Sequence, residues 1–295
     1  MFRAALRLAR PAAFLFVSLS LAACVGSVGA VNPTPSPSAK PDPVEPGPPV
    51  FRVTWEGGFV TPEMLLGRLP IVVVYADGRV ITQGPVPAIY PGPLMPNLQE
   101  RTLSKAALDR LIELAREKDL LRAVHYDYPG IADAPDTVLE IDLDGKSYRV
   151  SAYALAEAAL DLPDSGLDQA AIDGRAALRE FIDALTGIPE GDFVDDEHPY
   201  AFEGLRIYAG RAVVVPDSEL PGEQPAIDWP LGDLATAGEA VGNSPIDVRC
   251  QVVEGEDLAT VLPLLHAANS LQTFRSGEEL YSLIVVPLYP GETSC

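Results

Sequence analysis

Apolar and polar residues alternate from Leu139 to Leu143, with Glu140 and Asp142 between the apolar positions, and again at Tyr148, Val150 and Ala152 around Arg149 and Ser151. A period of two marks strands with one wet face, and Asp144-Gly145 between the runs predicts a tight hairpin. Leu178, Phe181, Ile182 and Leu185 then fall at i, i+3, i+4 and i+7, the stripe of a helix with one buried side, and Gly187 ends it. The same order stands earlier in the chain. Phe51 to Trp55 reads as a strand closed by Gly57-Gly58. Ile71 to Tyr75 and Arg79 to Thr82 flank Asp77-Gly78, and Leu108, Leu111, Ile112 and Ala115 form a second helical stripe behind a Ser104 cap. The Asp-Gly turns are 67 residues apart and the stripes 70 apart. This spacing suggests a degenerate hairpin-then-helix repeat, although two units are too few to prove a duplication.

The third region opens with Leu205 to Tyr208 and Arg211 to Val215, read as a hairpin around Ala209-Gly210. A looser acidic stretch follows to Pro245. Ile246 to Val253 is the next strand, Asp257 to about Ala268 a helix that Pro263 should kink or delay, and Leu280 to Val286 the last strand. The expected fold is α+β: antiparallel hairpins with helices packed on one face, and a C-terminal β-α-β region. The expected divisions are 51–188 for the two hairpin-helix units and 189–295 for the C-terminal region.

Residues 1–50 follow another logic. Arg3, Arg7 and Arg10 precede a twelve-residue apolar run from Ala12 to Ala23, too short for a transmembrane helix and built like a secretory signal. It ends in Leu21-Ala22-Ala23-Cys24, which resembles the lipobox of bacterial lipoproteins. The resemblance implies cleavage after residue 23, a diacylglyceryl group on the Cys24 sulfur, often an acyl chain on the new amino terminus, and a place on the extracytoplasmic face of the cell membrane. Residues 24–50 then read as the lipidated cysteine and a tether, because VNPTPSPSAKPDPVEPGPPV holds eight prolines in twenty positions and favours extended polyproline II.

Two further resemblances concern the folded part. Tyr75-Ala76-Asp77-Gly78-Arg79-Val80, followed by Asp133-Ala134-Pro135-Asp136-Thr137, is similar to a bacterial secreted-domain family of unknown function. Phe274, Gly277, Tyr281, Leu283, Pro287-Leu288-Tyr289-Pro290 and Cys295 resemble the ending of actinobacterial-type lipoproteins. They imply a fold and a compartment and carry over no catalytic residue.

The chain sums to −21, and the cleaved form is nearer −24. Such a body is repelled by phosphate backbones, which argues against a nucleic-acid partner and fits solubility and low adhesion. With Cys24 assigned to lipid, Cys250 and Cys295 are left as a disulfide pair that an oxidising compartment would preserve, two independent thiols being the alternative.

Candidate chemistry is sparse. There are three histidines and no His-Glu-x-x-His, Gly-x-Ser-x-Gly or Ser-x-x-Lys motif. His125 and Asp127 form the only local pair suited to proton transfer, set against ordinary packing beneath the connection that ends at Pro129-Gly130. Asp192, Asp195, Asp196, Glu197 and His198 offer hard ligands for Ca²⁺, but without the spacing of a calcium loop, and a solvated linker is the bland alternative. Trp55 and Trp229 read as core or half-core residues. No cofactor is indicated. The sequence therefore favours a non-catalytic, membrane-anchored binding or protein-interaction domain with an envelope protein as partner, ahead of an extracytoplasmic hydrolase or enzyme inhibitor.

Overall fold

A computed structural model describes residues 48–157, 166–213, 225–242 and 244–295. Residues 1–23, Cys24, the tether up to residue 47 and Val215 lie outside these described residues. Glu45–Cys295 forms one compact unit. It is α+β, with two antiparallel-rich sheets and four α-helices among the described residues.

The first sheet is built around β1 (Pro49–Gly57), which pairs antiparallel with β2 (Val72–Tyr75) on one side and β6 (Pro135–Leu143) on the other. Beyond β2 lie β3 (Arg79–Gln83), β4 (Leu98–Thr102) and β8 (His198–Pro199). Beyond β6 lie β7 (Lys146–Tyr153) and β5 (Val124–Tyr126). Both expected Asp-Gly hairpins form. At the first, Gly78 has φ +93° and a side chain there would press within 2.8 Å of the Leu103 carbonyl, so glycine is required for conformation and for room. The two halves are only roughly alike. The third strand follows the hairpin in one half, as β4, and precedes it in the other, as β5, which runs parallel to β7.

Helices α2 (Lys105–Glu117) and α3 (Gln169–Thr186) cover one face of this sheet. Ser104 caps α2 through the Ala107 N–H at 3.2 Å, as its position predicts. The stripe residues Leu108, Leu111, Leu178, Phe181 and Leu185 are all buried against Val53, Val74, Ile141 and Val150. Phe181 meets Phe51 edge-on, with centroids 5.1 Å apart. Arg175 is wholly buried on α3, where its guanidinium donates to the carbonyls of Tyr153 (2.8 Å) and Ala154 (3.2 Å) and lies over the Tyr128 ring. Burial holds its pKa below the ordinary arginine value.

The second sheet comprises β9 (Gly204–Arg211), β10 (Ile227–Asp228), β11 (Glu239–Ala240), β12 (Val248–Glu254), β13 (Thr273–Ser276) and β14 (Glu279–Pro287), in the order β10-β13-β14-β9-β12-β11. Helix α4 (Gly255–Ala267) packs on the face that carries Leu205, Ile207, Phe274, Leu283 and Val285. Pro263 neither delays nor ends this helix, because Val261 and Leu265 on either side of it are fully buried. The hairpin expected around Ala209-Gly210 is absent. Both residues lie inside the continuous strand β9, paired with β12 and β14 at once, and Gly210 makes room for Val248, whose Cγ1 lies 3.0 Å from where a side chain would begin. The actual hairpin of this region turns at Gly277, joining β13 to β14.

Cys250 and Cys295 are disulfide-bonded. The segment from Leu288 to Cys295 thereby becomes a strap across the seam of the two sheets. Its Glu292 accepts from Arg52 of β1 at 2.7 Å and from Arg206 of β9 at 3.4 Å, so one carboxylate joins the sheets. Tyr289 stacks on Tyr200, and the Tyr200 hydroxyl donates to the Leu288 carbonyl at 2.9 Å. Burial pushes the phenols of Tyr75, Tyr200 and Tyr289 well above their ordinary value, with the Arg52 charge pulling Tyr75 and Tyr289 the other way.

Candidate binding groove

The connection between β1 and β2 contains a single short helix, α1 (Pro62–Leu66). Thr61 caps it through the Met64 N–H, Pro62 occupies the first turn, and none of its residues is buried. Opposite it stands the proline-rich connection from Pro85 to Pro96. The base of that loop is pinched by Gly84 N–H donating to Asn97 O (2.8 Å) and Asn97 Nδ2 donating to Pro85 O (2.9 Å). Its far side is fastened to the connection between α4 and β13, where Leu94 N–H donates to Ala268 O (3.1 Å) and Ser270 N–H to Gly92 O (2.8 Å).

Between α1 and this loop runs an open groove of 530 Å³, with Met64, Val86, Pro87 and Leu94 on its walls and Leu283 to Val285 of β14 contributing to its lining. Gly67 lets the end of α1 come down on β14, since a side chain at that position would start 2.9 Å from Ile284 Cγ2. Among the described residues, the only charged one lining the groove is Glu63. Ten large apolar side chains stand exposed among the described residues, and six of them, Phe59, Met64, Leu65, Val86, Ile89 and Tyr90, belong to α1, its approach and this loop. Surface apolar residues scattered singly need no explanation, whereas two of these six, Met64 and Val86, stand on opposite walls of one apolar-lined groove, and that pairing marks a contact surface.

The residues singled out from sequence are arranged differently. His125 lies on β5 and does not meet Asp127, whose carboxylate instead accepts from the Tyr128 N–H at 2.8 Å. Its neighbours are Ser151, with Oγ 2.9 Å from His125 Nδ1, and Asp136, 3.5 Å from the same nitrogen. A relay from carboxylate to hydroxyl needs both ring nitrogens, one for each partner. Here a single nitrogen faces both, and Ser151 is buried in the sheet surface.

The acidic cluster is divided among separate tasks. Asp192 pairs with Arg110 at 2.5 Å, and Asp195 accepts from the Thr102 N–H at 2.6 Å. Burial works against the Asp195 charge, but the Thr102 hydrogen bonds outweigh it and hold the carboxyl below its ordinary value. Asp196, Glu197 and His198 are exposed at the edge of the first sheet. No group of three or more His, Cys, Asp or Glu side chains converges as a metal site among the described residues.

Trp229 is buried against Phe274 in the second core, as expected. Trp55 is about half exposed. The groove itself was hidden in the sequence. Val86 and Leu94 belong to no helical or strand period, and an apolar residue within a proline-rich connection is a faint signal until the fold sets a second wall opposite it.

The chain matches no family model, no curated protein and no solved structure.

Proposed function

We propose that this chain is an extracytoplasmic lipoprotein, anchored to the cell membrane by lipid on Cys24, whose folded body binds a protein partner of the envelope through the groove between α1 and the 85–96 loop. The observation that carries the binding role is an open groove whose lining is mostly apolar, with the exposed side chains of Met64 and Val86 on its two walls. The anchor is supported by the sequence: a positive amino-terminal region, a twelve-residue apolar run, and the Leu-Ala-Ala-Cys ending. The tether supports display away from the bilayer, since polyproline II extends by about 3.1 Å per residue. An acidic body is repelled by nucleic acid and by anionic lipid, which leaves protein as the partner class.

The anchor is tested by membrane fractionation. Cys24→Ser is expected to move the protein from the membrane to the soluble or secreted fraction, and retention equal to wild type would place the anchor elsewhere. The groove is tested by cross-linking in intact envelopes. Met64→Asp with Val86→Asp puts two charges on opposite walls, where each exposed side chain tolerates the change with about 0.5 kcal/mol or less of lost stability. The double variant is expected to lose the cross-linked partner band while keeping the wild-type melting curve. An undiminished band would remove the groove from the interface.

A further inference from the structure

We infer that the groove takes its partner as an extended, cation-bearing peptide segment that adds a strand to β14; this rests on the groove being the binding site. The argument begins with the direction of the β14 backbone. Leu288 N–H donates to Gly204 O (2.9 Å) and Ala212 N–H to Leu280 O (2.8 Å), which fixes the even-numbered residues of β14 as the ones bonded to β9. In an antiparallel ladder, alternate residues point their N–H and C=O to opposite sides. The odd-numbered residues therefore face away from β9, toward β13.

Strand β13 is too short to use them all. Its pairing with β14 ends at Thr273 opposite Ser282, and no other strand continues on that side among the described residues. Pro287 has no N–H to offer. Val285, which lines the groove, is left with both backbone groups on the side away from β9, and no hydrogen-bond partner for them stands among the described residues. An unpaired edge inside an apolar groove is the arrangement used in recognition by strand addition, in which main-chain bonds give affinity and side pockets choose alternate side chains. Ser270 and Asn97 supply the neutral polar positions of the lining, and Met64, Val86 and Leu94 the apolar ones.

Charge chooses the partner further. Residues 48–295 sum to −23 once the four cations and two acids of residues 1–47 are set aside, and among the described residues the one charged residue lining the groove is Glu63. A segment that alternates apolar residues with lysine or arginine satisfies the groove and the field around it together.

The experiment uses the protein from Cys24 onward, with Cys24→Ser to remove the lipid, and three acetylated and amidated fluorescent peptides of about six residues. One alternates Val with Lys, one alternates Val with Glu, and the third is the Val-Lys peptide N-methylated at each valine. Anisotropy titration is expected to show saturable binding of the Val-Lys peptide, weakening as salt is raised, with at least about tenfold weaker binding of the other two. Val285→Pro is expected to weaken the Val-Lys peptide to the level of its N-methylated form. Equal binding of the N-methylated peptide overturns strand addition, and this readout stands even where Val285→Pro fails to fold. Equal binding of the Val-Glu peptide overturns the choice of a cationic partner, and a dimer that Val285→Pro dissociates overturns it in favour of a second copy. Absence of peptide binding, beside loss of the envelope cross-link in the Met64→Asp, Val86→Asp protein, overturns the strand-addition inference while leaving the groove as the interface.

Discussion

Replacing Cys250 and Cys295 together by Ser is expected to lower the stability of the folded body by about 4 kcal/mol. The bond closes a loop across 45 positions, and the entropy that the unfolded chain loses to a closed loop of that size sets the figure. The consequence should spread beyond the entropy. Freed of its covalent end, the strap from Leu288 to Cys295 holds to the seam by Tyr289 against Tyr200 and by Glu292 between Arg52 and Arg206. These ion pairs are partly exposed, and such pairs contribute about 1 kcal/mol or less each. Urea unfolding of the double variant beside wild type, both without lipid, measures the difference. A shift below about 1 kcal/mol would mean that the contacts of Tyr289 and Glu292 hold the strap without the bond.

The two hairpins, the two helical stripes and the last strand were legible because each is local. A period of two, a period of 3.6 and an Asp-Gly turn are properties of a dozen residues or fewer, and burial then follows the pattern. Leu108 and Leu178 are inside because their stripes have a sheet to face. What could not be read was set by distant partners. Gly210 looked like a turn, yet it lies within β9, near its end, with strands on both sides, since a glycine that admits a neighbour and a glycine that reverses the chain have the same letter. Strand β4 follows a proline-rich loop and reads Leu-Gln-Glu-Arg-Thr, with no alternation strong enough to announce it. The site was harder still. His125 finds Ser151 and Asp136 only through the pairing of β5, β7 and β6, and the groove exists only because α1 and the 85–96 loop, separate in sequence, stand opposite each other over β14.

Phe181→Ala is expected to cost about 3–5 kcal/mol, the range for removing a buried phenylalanine from a packed core. Phe181 is fully buried on α3 and meets Phe51 of β1, the strand from which both halves of the first sheet are built. The loss combines the transfer energy of the ring with a cavity that the sheet cannot close by moving, because β1 is held by β2 and β6 on either side. Phe181→Leu, which keeps most of the volume, should recover more than half of it. The groove lies against β14 of the second sheet and none of its lining comes from α2 or α3. Below its melting point, the Phe181→Ala protein should therefore bind the Val-Lys peptide with wild-type affinity per folded molecule. Denaturant unfolding gives the first number and peptide titration at low temperature the second. If affinity falls in step with stability, the helical layer of the first sheet is coupled to the groove, and the separation of scaffold from contact surface is refuted.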